Sequence, residues 1–264
     1  MRPGGGMIEA MPTAGQALSS VIRGVQWGLD RMVSVGYGVV YDYIVERFRP
    51  YQELHDDVLR LVESGVPAGT SRREIRVLDV ACGPGNFTLH VAGAGFETVG
   101  VDAYAGLVEL AREKRRARHL GNLAFRHADL ARGGVFPEST FDQVVNIHSL
   151  YVQPDPQRFL REVHKVLKPG GRAIFVNFTR RVWLGSTLRD VRRREGVTAA
   201  LRSLLWVLPN SVFEATRKRV RPQYWDEKEF AAHLEEAGFR VLDIRRTFFD
   251  GASLLAWVSK DTAP

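Results

Sequence analysis

Asp79 is the one acid in a stretch, Ile75 to Val80, that is otherwise apolar apart from Arg76. A carboxylate inside a buried strand is costly unless something pairs with it, and a ligand ammonium would do so. Directly after this run comes Cys82-Gly83-Pro84-Gly85, and residues compatible with a helix begin at Asn86. Glycine at 83 and 85 admits backbone angles closed to other residues and lets a ligand reach the main chain, while the helix behind offers N–H groups without intrahelical partners. Asp102 lies nineteen residues beyond Gly83, at the end of a second predicted strand. Its two oxygens match the two adjacent hydroxyls of a ribose, and the same carboxylate also suits the cap of a helix starting at Ala105. Further on, Asn146, His148, Ser149 and Tyr151 gather where a fourth strand ends. Imidazole titrates near neutrality, so His148 is the candidate general base if an acceptor must lose a proton; packing or hydrogen bonding is its alternative role. His127, inside a strand, and His90, on the first helix after the glycines, read as structural.

Bringing these residues together takes strands and helices in alternation. Phe96 to Asp102, Leu123 to His127, Phe141 to Ile147 and Ala173 to Asn177 follow Ile75 to Val80 as strands. A helix from Ala105 to about Arg118 ends in Lys114, Arg115, Arg116 and Arg118, a solvated basic face that suits the helix dipole. Asp155-Pro156 starts a helix whose Phe159, Leu160, Val163, Val166 and Leu167 share one face, and Lys168-Pro169-Gly170-Gly171 ends it. Asp226 with Glu229 forms a capping box, Gly238 stops that helix, and Arg240 to Thr247 and Ser253 to Val258 close the chain as strands. This alternation specifies an α/β domain with a largely parallel sheet, in which ligands bind beyond the carboxyl ends of the strands where strand order reverses.

The segment DVACGPGN, residues 79–86, resembles motif I of the class I S-adenosylmethionine-dependent methyltransferases. The PDP…LKPGG layout, residues 154–171, and WDEKEFAAHLEEAGFRV, residues 225–241, resemble the ubiquinone and menaquinone biosynthesis group of that family. The resemblance covers Tyr37 to Phe178 and, more loosely, Trp225 to Val258. The nearest competitor, a dinucleotide-binding oxidoreductase, wants G-x-G-x-x-G, and Thr88 stands where its third glycine would be. The resemblance implies a Rossmann-like, seven-stranded, mostly parallel sheet with helices on both faces, an N-terminal helical cap over 16–70 and a core over 71–264. It implies S-adenosylmethionine as cofactor, at Asp79, Ala81, Gly83, Gly85, Asp102, Ala103, Asp129, Leu130 and Asn146. Asp129 would receive the adenine amino group while the Leu130 N–H meets a ring nitrogen; capping a short turn is the other role open to Asp129. Helices ahead of motif I fold over cofactor and acceptor in such proteins, where a pair like Tyr41-Asp42 often lies. Tyr37, Tyr41, Tyr151 and Trp206 are therefore acceptor-binding candidates, with core packing as the alternative.

Methyl transfer from a sulfonium is an in-line displacement, so such a site has chiefly to align the acceptor and exclude water. The expected activity is O-, N- or C-methylation of a small or lipid-like acceptor, anionic ones included. A non-catalytic S-adenosylmethionine-binding protein and an RNA methyltransferase are the competing readings. The formal charge of +7 is confined to one place: residues 180–222 hold eleven basic and three acidic residues. That helical insert after the fifth strand reads as a lid, a patch resting on a membrane surface, or a solvated helical pair. No DNA-binding feature accompanies it, and the Asn146-Ile147-His148-Ser149 stretch lacks the pattern of amino-methylating nucleic-acid enzymes, which disfavours RNA. The single Cys82 allows no internal disulfide, no run of eighteen apolar residues occurs, and no metal-ligand spacing is present. A cytoplasmic protein with a Gly- and Pro-rich, disordered start over 1–15 is the expectation; composition assigns no oligomeric state.

Overall fold

A computed structural model describes residues 42, 49–179, 189, 191–193, 196–201, 223–248 and 251–262. Seven strands form one sheet: β1 (Arg76–Val80), β2 (Glu97–Asp102), β3 (Leu123–His127), β4 (Phe141–Ile147), β5 (Leu167–Phe178), β6 (Phe239–Thr247) and β7 (Ser253–Lys260). Their order is β3-β2-β1-β4-β5-β7-β6. β1 pairs in parallel with both β2 and β4, so strand order reverses between β1 and β4. β7 runs antiparallel between β5 and β6.

The period-two alternation of each strand divides the core between the two faces of the sheet. Leu78 and Val80 join the larger cluster, covered by α4 (Pro156–Val166) and α5 (Glu227–Glu236) through Phe159, Leu160, Val163, Phe230 and Leu234. Val77 and Val145 join the cluster on the opposite face, under α1 (Arg49–Ser64) and α2 (Asn86–Gly93) through Tyr51, Leu54, Val58, Phe87 and Val91. A third cluster, with Leu89, Val108, Ala111 and Phe125, packs α2 and α3 (Ala105–Ala117) against β3. Each fully buried side chain of this kind contributes about 1.5–3 kcal/mol. Local signals place the helices: Asp155 accepts from the Arg158 N–H ahead of Pro156, and Asp226 and Glu229 exchange the two bonds of a capping box.

One expectation changes. Lys168 to Gly171 does not separate helix from strand: β5 begins at Leu167, which pairs with Phe141, and the register slips before Gln143 meets Arg172. Pairing starts early because the N–H groups of Ser139 and Thr140 already reach the carbonyls of Lys165 and Val166. Between α1 and β1 a 3-10 turn, Arg72–Glu74, is capped by Ser71 and Glu74. The segment 1–15, all of the 16–48 part of the cap except Asp42, and most of the 180–222 insert, Tyr37, Tyr41 and Trp206 included, lie outside the described residues. Within that insert 189, 191–193 and 197–201 are helical, and Val197 and Leu201 are exposed. No described helix is long and apolar enough to cross a membrane.

Candidate active site

The carboxyl end of β1 leads straight into the bend. Asp79 is buried, and Thr88 of α2 donates its hydroxyl to Asp79 Oδ2 at 2.6 Å. Burial pushes the Asp79 carboxyl up to about 7; the Thr88 hydrogen bond opposes the rise and the nearby Asp102 charge adds to it. Ala81 takes a φ of 57°, a left-handed conformation uncommon outside glycine, and so turns the chain out of the strand at a cost in strain.

The two glycines have different jobs. At Gly83, φ 55°, a Cβ would meet nothing within 4 Å, so this backbone faces open space. At Gly85, φ 79°, a Cβ would lie 2.6 Å from Phe125 Cζ and 2.9 Å from Ala111 Cβ, so its missing side chain lets α2 and β3 close up. The same Phe125 ring also fills the space above Gly100. Of the two, Gly83 has open space at its Cα among the described residues; Gly85 serves packing and begins α2 without a side-chain cap.

Asp102, buried at the end of β2, accepts the Gly83 N–H at 2.9 Å through Oδ2 and the Tyr104 N–H at 2.8 Å through Oδ1. It thus ties the bend after β1 to the start of α3, where Tyr104 is the cap residue. Ala103 presents its carbonyl to His127 Nε2 at 3.0 Å. Asp129 caps the short turn Leu130–Arg132 by accepting the Ala131 N–H, and its other oxygen faces Arg132 at 3.4 Å. Leu130 is buried beneath it.

Across the switch point, Asn146 is fully buried and donates to the Val80 carbonyl and to Ser149 Oγ, at 2.7 and 2.6 Å. Its Oδ1 is buried with no hydrogen-bond partner among the described residues. His148 also takes a left-handed φ, 52°, and its ring stacks on Phe178 at 4.0 Å between centroids, with Tyr51 edge-on and Phe248 tilted. Its Nε2 bonds Ser253 Oγ at 2.8 Å, whereas Nδ1 is buried with no hydrogen-bond partner among the described residues. Burial lowers its pKa to about 3, helped by nearby His55. That environment works against the general-base role: an imidazole so reluctant to hold a proton orients better than it abstracts. Tyr151 is buried against Phe178 and Tyr224, a packing position.

Sequence reasoning missed the parts played by Thr88, Ser253 and Lys114, and placed Asp42 only as the neighbour of Tyr41. Thr88 mattered only as a missing glycine; nothing local says that α2 would aim it at Asp79. Ser253 sits over a hundred residues from His148. Lys114 is not on the solvated face: its side chain is 19% exposed and its ammonium reaches the Pro84 carbonyl, Asn86 Oδ1 and Asp42. Asp42 in turn accepts from Asn86 Nδ2 at 2.8 Å. Lysine's four-carbon stem allows that reach, so helical position alone does not reveal it.

The β3-β2-β1-β4-β5-β7-β6 order, with a glycine bend after β1 and a carboxylate closing β2, defines the class I methyltransferase fold, whose cofactor is S-adenosylmethionine. The chain belongs to the methyltransferase-domain family, which matches residues 45–244. It is 32% identical over 130 residues to the demethylmenaquinone methyltransferase of Geobacillus kaustophilus, covering 48% of this chain and 52% of that one. With the ubiquinone/menaquinone biosynthesis C-methyltransferase UbiE of Geobacter sulfurreducens it shares 29% over 217 residues, 75% and 80% of the two chains. The chain spans about half the length of several of the curated relatives it matches. Among solved structures, the Burkholderia thailandensis 1,6-didemethyltoxoflavin-N1-methyltransferase superposes with a TM-score of 0.58 at 18% identity, over 96% of this chain and 93% of that one, a likeness of fold.

Proposed function

We propose that the protein transfers the methyl group of S-adenosylmethionine to a small aromatic acceptor of the quinol type. The observation that carries the reading is the contact of the open Gly83 with Asp102, alongside the buried Asp79. Three features suit the cofactor. Asp79 is a buried carboxyl held near neutrality, which a ligand ammonium would favour in its ionised form. Gly83 leaves unhindered backbone, and Asn146 Oδ1 is a buried acceptor awaiting a donor.

Asp79 would hold the amino-acid end, with Thr88 fixing its rotamer. Asp102, held at the end of β2 against the bend, would meet the ribose hydroxyls through its carboxylate oxygens. Ala81, Ala103, Asp129 and Leu130 would line the adenosyl side, and Asn146 the space between cofactor and acceptor. When bound, S-adenosylmethionine supplies an electrophilic methyl on a sulfonium. The chain's own residues then align the acceptor and keep water out.

His148 would orient the acceptor by hydrogen bonding. In either tautomer its Nδ1 is the ring atom with no partner among the described residues, and Tyr51, Phe178 and Phe248 make an aromatic wall beside it. The wall suits a flat ring, and the relatives named as demethylmenaquinone and ubiquinone/menaquinone methyltransferases support a quinol. The test is incubation with S-adenosylmethionine labelled in its methyl group and a panel of demethylated quinols, simple phenols and bulk RNA. Label should appear in a quinol. Label confined to RNA would overturn the acceptor reading, and no calorimetric binding of S-adenosylmethionine would overturn the whole.

A further inference from the structure

Lys114 stands outside every role assigned so far, and Asp42 has only the place beside Tyr41 that the resemblance implies. Pro84 lies in the bend between β1 and α2, where its carbonyl has neither a strand partner nor a place in the helix that begins at Asn86. Lys114, in the last turn of α3, donates to that carbonyl at 3.0 Å and to Asn86 Oδ1 at 2.9 Å. Three donors on one ammonium can serve both and still reach a third acceptor. That third acceptor is the Asp42 carboxylate, which also accepts from Asn86 Nδ2, across forty-four residues of chain.

The electrostatics explain the carboxylate. An ammonium beside the first turn of a helix meets the positive end of the helix dipole, an unfavourable placement when uncompensated. Asp42 supplies the opposite charge where both the ammonium and the α2 N-terminus want it. Both side chains are about one-fifth exposed, 19% for Lys114 and 20% for Asp42, so water screens the pair less than it screens the surface pairs.

We infer that Lys114 is a positioning residue for the cofactor bend: it fixes Pro84 and Asn86, and through Asp42 it makes a residue of the N-terminal segment part of the cofactor site. The inference rests on the reading of Gly83 as the cofactor backbone. Lys114 itself touches no reacting atom. Its loss should therefore loosen cofactor binding and leave the chemical step intact.

The test uses the full chain with Lys114→Met, Lys114→Arg, Asp42→Asn and the Asp42→Asn/Lys114→Met double variant. Cofactor affinity is measured by calorimetry with S-adenosylmethionine and S-adenosylhomocysteine, folding by thermal melting without ligand. K114M should weaken binding by about tenfold, the order expected for losing a charged donor, and raise KM for the cofactor while kcat at saturation holds. K114R should restore most of the affinity, and the double variant should be no worse than K114M because both act through one tie. Wild-type affinity in K114M, or additive losses in the double variant, overturns the inference. If K114M does not fold, D42N compared in wild-type and K114R backgrounds decides: a loss of affinity supports the tie, and unchanged affinity overturns it. Asp102→Asn separates the two levels. If D102N loses binding and K114M does not, Lys114 is misassigned; if neither changes binding, the cofactor lies elsewhere and both readings fall.

Discussion

Thr88 Oγ1 and Asp79 Oδ2 lie 2.6 Å apart beneath the glycine bend, joining the first helix after the bend to the strand before it. The hydroxyl is fully buried and the carboxyl nearly so, so neither has water to fall back on. Replacing Thr88 by Val keeps the shape and the backbone N–H that also faces Asp79, and removes only the hydroxyl donor. We predict a loss of about 1–3 kcal/mol in folding free energy, read from denaturant midpoints, with recovery in Thr88→Ser. A Val variant as stable as the parent would show the bond to be incidental.

The raised Asp79 pKa makes cofactor binding pH-dependent. In the ligand-free protein the group titrates near 7, above its usual 3.8, so part of the population is protonated at neutrality. A ligand ammonium favours the ionised form, so binding releases a proton and affinity rises with pH until about 7, then levels. For the ligand-free fold the sign is opposite: the raised pKa costs nothing below 3.8 and its penalty grows as pH rises to 7, reaching roughly 4 kcal/mol at about 1.4 kcal/mol per unit. Calorimetry in buffers of different ionisation enthalpy measures the proton, which Asp79→Asn should abolish. Binding enthalpy that ignores the buffer would refute this.

Gly83 and Gly85 should separate in mutation. Gly83→Ala keeps open space around the new methyl, so it costs roughly 1–2 kcal/mol of backbone strain and chiefly lowers cofactor affinity. Gly85→Ala drives a methyl into Phe125 and Ala111, adding about 1–3 kcal/mol of overpacking. Thermal melts and calorimetry together discriminate the two, and Phe125→Leu should partly rescue Gly85→Ala. Equal behaviour of the two glycine variants would contradict the division of labour.

His148 should leave no mark near pH 6.5 on the rate profile. Its pKa is lowered to about 3 by burial, so it stays neutral throughout the working range. Stability tells the same story with a definite sign: unfolding restores a pKa of 6.5, so acidification below 6.5 favours the unfolded chain, by roughly 2 kcal/mol at pH 5 for this residue. His55, lowered to about 3 by burial and by His90, adds a similar term. His148→Asn should lower kcat while preserving the profile's shape. A limb at pH 6.5 that vanishes in that variant would restore the general base.

Much of this architecture could be read directly from the chain. β3 and β4 run between the residues expected, Leu123–His127 and Phe141–Ile147, because short apolar runs bounded by turn residues leave little choice. The capping box at Asp226 and Glu229 is local chemistry and forms as expected. What escaped depends on contacts made at a distance. The pairing of Leu167 with Phe141 belongs to the neighbouring strand, and the fate of Lys114 to a bend thirty residues upstream. Asp102 illustrates the middle ground: its place was legible, but its grip on Gly83 required knowing how β1 and β2 end side by side.

One aromatic ring under the bend has a consequence for redesign. Phe125 fills the hollow left by both Gly85 and Gly100, so the third strand and the bend cannot be reshaped independently. Enlarging this end of the cleft for a bulkier synthetic donor would mean trimming Phe125 first. The vacated volume would remove the tightest clash at either glycine, leaving Ala111 Cβ against Gly85 and Cys82 Sγ against Gly100 as the next walls to move.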